Sequence, residues 1–119
     1  MIKTYDFDFK DGEASASFEV NLSLFTDDMA LATLEFYSYE YDDNFSKTHT
    51  PIDEVMKLYA LEAIKSATFN NYNVYGVIRD FAEREGFAKI DGSCGVKLLY
   101  VDRFDFDESD LNVTVTDLK

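Results

Sequence analysis

The chain has 119 residues and a mass of 13.7 kDa, which suits a single domain spanning residues 1–119. Hydrophobic residues make up 46% of it, enough for a packed core without disulfides or metal, so the composition excludes a disordered protein. No apolar run reaches the roughly 18–20 residues that are needed to cross a bilayer. The N-terminal residues alternate between polar and apolar side chains, whereas a signal peptide has a continuous apolar stretch. We therefore expect a soluble cytoplasmic protein, and the single cysteine, Cys94, which cannot form an internal disulfide, agrees with a reducing compartment.

Charge is the dominant property of the sequence, and it is unevenly distributed. The chain has 24 acidic and 11 basic residues, a formal net charge of −13. Residues 1–43 contain 11 acids and 2 bases, residues 44–97 contain 7 of each, and residues 98–119 contain 6 acids and 2 bases. A negative net charge of this size can serve solubility alone. The neutral middle of the chain between two acidic ends also suggests a binding surface.

The N-terminal residues predict a β-hairpin. Residues 4–9 alternate polar and aromatic side chains, as in a strand with one buried face. The pair Asp11-Gly12 favours a tight turn, and residues 14–22 alternate again with small or apolar residues on one face. Two antiparallel strands are therefore expected at the start of the chain.

The middle of the chain predicts three helices. Capping residues mark their starts at Thr26, at Thr50 and at Asn70 or Asn71. The pattern leaves the end of the first helix open near residue 38, and residues 42–50 lack periodicity, which favours a loop. The second helix, with proline at its first position, should run to about residue 69, and the third should end at Gly86.

The last third returns to strand periodicity. Residues 88–90 and 96–101 flank a glycine-rich turn and favour a second hairpin, and residues 111–115 alternate as a final strand after a polar turn at 107–110. The order ββ-ααα-βββ predicts an α+β fold, in which hairpins from both ends of the chain form one antiparallel sheet with helices packed on one face.

Few residues favour catalysis or metal binding. Cys94 and His49 are the single cysteine and histidine, and they lie on unrelated loops, so a cysteine–histidine pair is disfavoured. The carboxylates between Asp102 and Asp110 lack the glycine and glutamate spacing of a calcium-binding loop. A zinc site is also disfavoured, because the chain has one cysteine and one histidine to serve as ligands. A cationic cluster for phosphates is also missing, which disfavours direct nucleic-acid binding. We therefore expect no catalytic residues, metal or cofactor.

The acidic residues themselves are the stronger functional candidate. Carboxylates two apart on a strand are about 6.7 Å apart, so two adjacent rows approximate the charge density of one nucleic-acid strand. Tyrosines interleaved with them can anchor a protein partner, although they can equally cover the edge of the core. The predicted partner-binding residues are Asp6, Asp8, Glu35, Tyr37, Tyr39, Glu40, Tyr41, Asp42, Asp43, Phe45, Asp105, Asp107, Glu108 and Asp110.

Two stretches of the C-terminal third resemble a known family. Residues 85–95 (EGFAKIDGSCG) and 101–111 (VDRFDFDESDL) are similar to the C-terminal half of a small bacterial family described only as domain of unknown function 2528. The resemblance implies no activity and no catalytic residue. In size and acidity alone, the chain also resembles anti-CRISPR and other anti-defence proteins of phages and mobile elements.

These observations predict a non-enzymatic acidic protein that blocks a nucleic-acid-binding complex by presenting a nucleic-acid-like face, as an anti-CRISPR inhibitor does. Its partner would be a protein or ribonucleoprotein with a basic nucleic-acid-binding channel in a bacterial host. The alternative is a soluble interaction domain that is acidic for solubility and forms a homodimer through a sheet edge or an apolar patch.

Overall fold

The computed structural model describes residues 1–41, 43–105, 109 and 111–117, with Asp43 described by its backbone alone. Its elements, in chain order, are strand β1 (Ile2–Phe9), strand β2 (Ala14–Asn21), helix α1 (Asp27–Phe36), helix α2 (Asp43–Ser46), helix α3 (Pro51–Asn70), helix α4 (Val74–Ala82) and strand β3 (Val96–Asp102). The predicted α+β class, with an antiparallel sheet covered by helices, is confirmed.

The sheet has the order β1-β2-β3, and both pairings are antiparallel. Alternate residues of β2 are completely buried, from Ala14 to Val20, so one face of the sheet packs on the core. The central strand thus joins the N-terminal hairpin to β3, and β1 is paired along one side only. This arrangement brings Asp102, the first acidic residue of the C-terminal segment, onto the same sheet as the acidic residues of β1.

The helices form the layer above the buried sheet face. Helix α3 contacts all three strands and both α1 and α4, and its buried Tyr59 lies against the rings of Phe18 and Phe25 at 6.3 and 6.0 Å. Its start follows the prediction because Thr50 and Asp53 form a capping box before Pro51. The opposite sheet face, here called the outer sheet face, is left without a helix.

The predicted C-terminal strands are the main correction. Residues 88–90 form no strand, and the turn that follows contributes one isolated bridge, Asp91 to Lys97. Residues 111–115 are not a strand either, because in the described structure they pair with nothing. Alternation favours an extended backbone, but a strand also needs a partner. With the short helix α2 included, the observed order is therefore ββ-αααα-β instead of the expected ββ-ααα-βββ.

Helix boundaries differ from the expectation at three points. The predicted loop at 42–50 contains the short helix α2. Asn71, with φ of 57°, is the C-cap of α3, so Asn73 rather than Asn70 or Asn71 caps α4. Helix α4 ends at Ala82 rather than Gly86, whose φ of 87° belongs to the turn that follows. A left-handed cap closes one helix before the next can begin.

Candidate acidic binding face

The outer sheet face carries carboxylates from all three strands. The register places Asp8, Ser15 and Asp102 in one row across the sheet and Asp6, Ser17 and Tyr100 in the next. Neighbouring strands are about 4.8 Å apart, so Asp8 and Asp102 flank β2 at about 10 Å. Of the C-terminal acidic residues, Asp102 lies on this face with Asp6 and Asp8, while Asp105 lies beyond the end of β3 and Asp107 is outside the described residues. The predicted junction of the two acidic segments therefore stays a prediction.

A bulge in the β2–β3 pairing decides which residues of β3 face outward. Ser17 pairs with Tyr100 while Phe18 pairs with Leu98, so Leu99 is the extra residue. One extra residue reverses the alternation, because side-chain period along a strand is two. Simple alternation from buried Leu98 would have placed Tyr100 and Asp102 on the core side. The bulge instead brings both onto the outer sheet face, and Tyr100 is 51% exposed there.

Tyr100, Asp102 and Glu19 were missing from the predicted site. Glu19 lies in the next row, opposite Lys97. The signal for Glu19 was present in the sequence, since it alternates with the buried residues of β2. No local pattern marks the bulge, so the position of Tyr100 could be found only from the pairing.

Ion pairs are found on the helix side of the molecule, although Glu83 and Glu85 on that side have none among the described residues. The four ion pairs of the described residues join Lys3 to Asp53, Lys65 to Glu62, and Arg84 to both Glu62 and Asp80, and all lie on the helix side. None includes a carboxylate of the outer sheet face. Asp6 accepts a hydrogen bond of 2.7 Å from Ser17, a neutral donor. Asp6, Asp8 and Asp102 thus form no ion pair among the described residues, and Lys97, opposite Glu19, is the cation that β3 places on this face.

Lys3 shows why the first strand adds no positive charge to this face. Its side chain lies on the helix side, where its ammonium donates to Asp53 Oδ1 at 2.8 Å. The Tyr5 hydroxyl donates to the same oxygen, and the Thr50 amide donates to Oδ2 at 3.1 Å. Burial alone would raise the pKa of Asp53, but these three donors outweigh it and lower the pKa to about 2. Burial and the same carboxylate raise the pKa of Tyr5 to about 12.

The predicted aromatic anchors lie away from the outer sheet face. The Tyr37 hydroxyl donates to the Glu85 carbonyl, and its ring lies 4.7 Å from that of Phe87. Tyr39 packs against the core and contacts half-exposed Tyr41 edge to face at 5.5 Å. Phe45 stacks on His49 with ring centroids 3.8 Å apart, and the Lys57 ammonium lies 4.2 Å from its centroid. These side chains belong to the helix side.

The remaining residues of the predicted site also lie away from the outer sheet face or outside the described residues. Glu35 is exposed on α1, and Glu40 is exposed in the segment that follows it. Asp105 is exposed one residue after Phe104, whose ring packs on the helix side against Phe9. Asp42, Asp107, Glu108 and Asp110, and the side chain of Asp43, lie outside the described residues. Of the predicted residues, the structure brings Asp6 and Asp8 together on the outer sheet face.

Cys94 and His49 make their contacts in different parts of the fold. The Cys94 sulfur lies 3.8 Å from the Ser93 hydroxyl in the turn before β3. The His49 ring contacts Thr48 and the Phe45 carbonyl, at 2.8 and 2.9 Å, between α2 and α3. Over the part of the chain that is described, no group of three or more histidine, cysteine, aspartate and glutamate side chains has the arrangement of a metal site.

Comparisons of this chain with protein-family models, with curated proteins and with solved structures found no match. Among the helices formed by the described residues, none has the length and apolar character needed to span a membrane.

Proposed function

We propose that this protein is a non-enzymatic binding protein whose outer sheet face occupies a basic nucleic-acid-binding channel of a partner, as an anti-CRISPR or other anti-defence inhibitor would. The observation that supports it is the contrast in ion pairing. Asp53, Glu62 and Asp80 on the helix side are matched by Lys3, Lys65 and Arg84, whereas Asp6, Asp8 and Asp102 form no ion pair with a cation among the described residues. Unmatched exposed carboxylates repel one another, and a basic surface would relieve that repulsion.

Tyr100 supplies the second part of the proposed surface. It lies opposite Ser17, in the row that contains Asp6 and beside the row that contains Asp8 and Asp102. An exposed tyrosine gives a large apolar contact together with a hydroxyl, at low cost in side-chain entropy, and such residues are common energetic anchors in interfaces. The carboxylates would speed association through long-range attraction, and Tyr100 would slow dissociation.

Charge reversal on the outer sheet face tests the proposal. Asp6→Lys/Asp8→Lys should remove binding to the basic partner, because it replaces two attractive charges with two repulsive ones. The matched control is Glu83→Lys/Glu85→Lys, the same change of charge at exposed positions on the helix side after α4. Each variant is used to capture proteins from a bacterial host lysate at low and moderate salt, and captured proteins are assayed for displacement of bound DNA or RNA.

We expect wild type and the helix-side control to capture a basic partner and to displace its nucleic acid. The amount of partner that they capture should fall steeply as the salt concentration rises. The sheet-face variant should fail in all three respects while its circular dichroism spectrum stays unchanged. Equal capture by both double variants, or a partner whose nucleic-acid binding is unaffected, would contradict the proposed function.

A further inference from the structure

The C-terminal segment, residues 111–117, has the pattern of a strand but no packing partner. Leu111, Val113 and Val115 are 75%, 84% and 82% exposed. No backbone hydrogen bond among the described residues joins the segment to the sheet. Residues 111–116 are also uncharged, in a chain of which 29% is charged. An alternating, uncharged, exposed segment of this kind is typical of peptides that add to the edge of a sheet.

Strand β1 offers a free edge for such an addition. It is eight residues long, and within the described structure its backbone pairs with β2 alone. Its outer edge therefore presents unpaired backbone N–H and C=O groups along about 27 Å. A five-residue strand spans about 17 Å and can be accommodated on that edge.

An apolar groove lies beside this edge, between β1 and α3. It consists of two adjoining cavities of about 310 and 260 Å³, both lined by Phe9, Leu61 and Ile64. Tyr39 lines one end and Phe104 the other. Phe9 and Leu61 remain 38% and 39% exposed, so the groove presents apolar surface that the described chain does not cover. We call it the β1 groove.

The chain leads from β3 to the end of the β1 groove and then away from it. The Phe104 amide donates to Thr68 Oγ1 at 3.2 Å, and the Phe104 ring meets that of Phe9 at 5.4 Å. Beyond this anchor the segment does not return to its own groove, since its apolar side chains are exposed.

We propose that residues 111–115 of one molecule add as a fourth strand to the free edge of β1 in a second copy. Leu111, Val113 and Val115 would enter the β1 groove, on the same side as Phe7 and Phe9, while the intervening polar residues continue the outer sheet face. The segment is neutral, so it can lie beside Asp6 and Asp8 without adding repulsion. The exchange is reciprocal and closes as a two-fold dimer in which each copy donates and receives one segment.

Matched variants within the donated segment test the exchange. Val113→Asp places a carboxylate in the groove and should convert the dimer to a monomer. Thr114→Lys introduces a charged side chain one residue later, on the outer sheet face beside Asp6 and Asp8, where it adds no repulsion, and should leave the dimer intact. The mass of each full-length protein is measured by light scattering after size exclusion, over a concentration series. Wild type and Thr114→Lys should give twice 13.7 kDa, and Val113→Asp should give 13.7 kDa.

The receiving groove is tested separately. Leu61→Glu should also give a monomer, whereas Leu31→Glu, an exposed leucine on α1 with 43% exposure, should remain dimeric. Mixing Val113→Asp with Leu61→Glu should restore a dimer of one donor type and one acceptor type, because one intact segment meets one intact groove.

Three results would overturn the exchange. The first is a wild type that is monomeric at every concentration. The second is equal behaviour of the two segment variants. The third is a monomer whose amides at residues 111–115 are protected from hydrogen exchange, which would mean that the segment docks on its own chain. These measurements do not involve the basic partner, so their outcome is independent of the proposed inhibitory function.

Discussion

At the residue scale, Asp53 links the first strand to the longest helix. Its carboxylate accepts from Lys3 and Tyr5 on β1 and from the Thr50 amide in the capping box of α3. Asp53 is 8% exposed, so these bonds form largely out of water. The interaction holds an edge strand that has sheet pairing on one side only.

The pKa of Asp53 gives a prediction for stability against pH. A carboxyl group whose pKa is about 2 in the folded protein stabilises the fold above its ordinary pKa of 3.8, and this contribution is lost as the pH falls toward 2. Asp53→Asn should lower the free energy of unfolding by about 1–2 kcal/mol at pH 7, allowing for screening at Lys3, which is 47% exposed.

Urea unfolding at several pH values measures this effect. The difference between wild type and Asp53→Asn should be constant near neutral pH and should narrow between about pH 4 and pH 2, where wild-type Asp53 becomes protonated. Glu13→Gln, an exposed change in the β-hairpin turn, is the control and should cost little at any pH. A difference independent of pH would show that the charge of Asp53 is not what stabilises the fold.

At the element scale, Gly86 sets the approach of the turn after α4 to the end of α1. Its φ is +87°, and a Cβ at this position would lie 2.7 Å from Tyr37 and would also overlap Phe36. The neighbouring Thr33 hydroxyl donates to the Gly86 carbonyl at 2.7 Å. The turn thus needs glycine for its backbone conformation and also for space.

Gly86→Ala should therefore destabilise the protein by about 2–4 kcal/mol, combining left-handed strain with overpacking. Gly12→Ala is the matched control, because its φ of +88° imposes the same strain while nothing lies within 4 Å of the added Cβ. It should cost about 1 kcal/mol. Thermal unfolding of both variants separates the cost of backbone strain from the cost of overpacking. Equal losses of stability in the two variants would refute the packing contribution at Gly86.

At the scale of the whole molecule, the distribution of ion pairs predicts the response of stability to salt. Carboxylates of the outer sheet face lie about 7–10 Å apart and repel through water by a few tenths of a kcal/mol per pair. Asp8→Asn/Asp102→Asn should raise the free energy of unfolding by up to about 1 kcal/mol at low ionic strength, with the gain lost in high salt.

Glu62→Gln should have the opposite effect on stability, because it removes an attraction between charges and not a repulsion. Glu62 lies within reach of both Lys65 and Arg84, at 3.2 and 3.1 Å, so neutralising it should destabilise the protein in low salt. Urea unfolding across a salt series measures both variants. If the sheet-face variant were destabilised and the Glu62 variant unchanged, the two sides of the molecule would not differ electrostatically as described.

Local sequence determined the elements whose signals lie within a few residues. The hairpin turn at Asp11-Gly12 and the Thr50 capping box form as expected because both depend on neighbouring residues alone. The α+β class followed from the order of these elements, and the excess of carboxylates followed from composition. These properties require no knowledge of distant contacts.

Tertiary structure decided the rest, because pairing and packing join residues far apart in the chain. The bulge at Leu99 turns Tyr100 and Asp102 outward, and it exists only through pairing with β2. Alternation along β1 places Lys3 on the face that packs against the helices, and the tertiary fold brings Asp53 of α3 within 2.8 Å of its ammonium. Residues 111–115 have strand periodicity, yet they lack a strand to pair with, since hydrogen bonding and burial depend on the partner that the fold brings near.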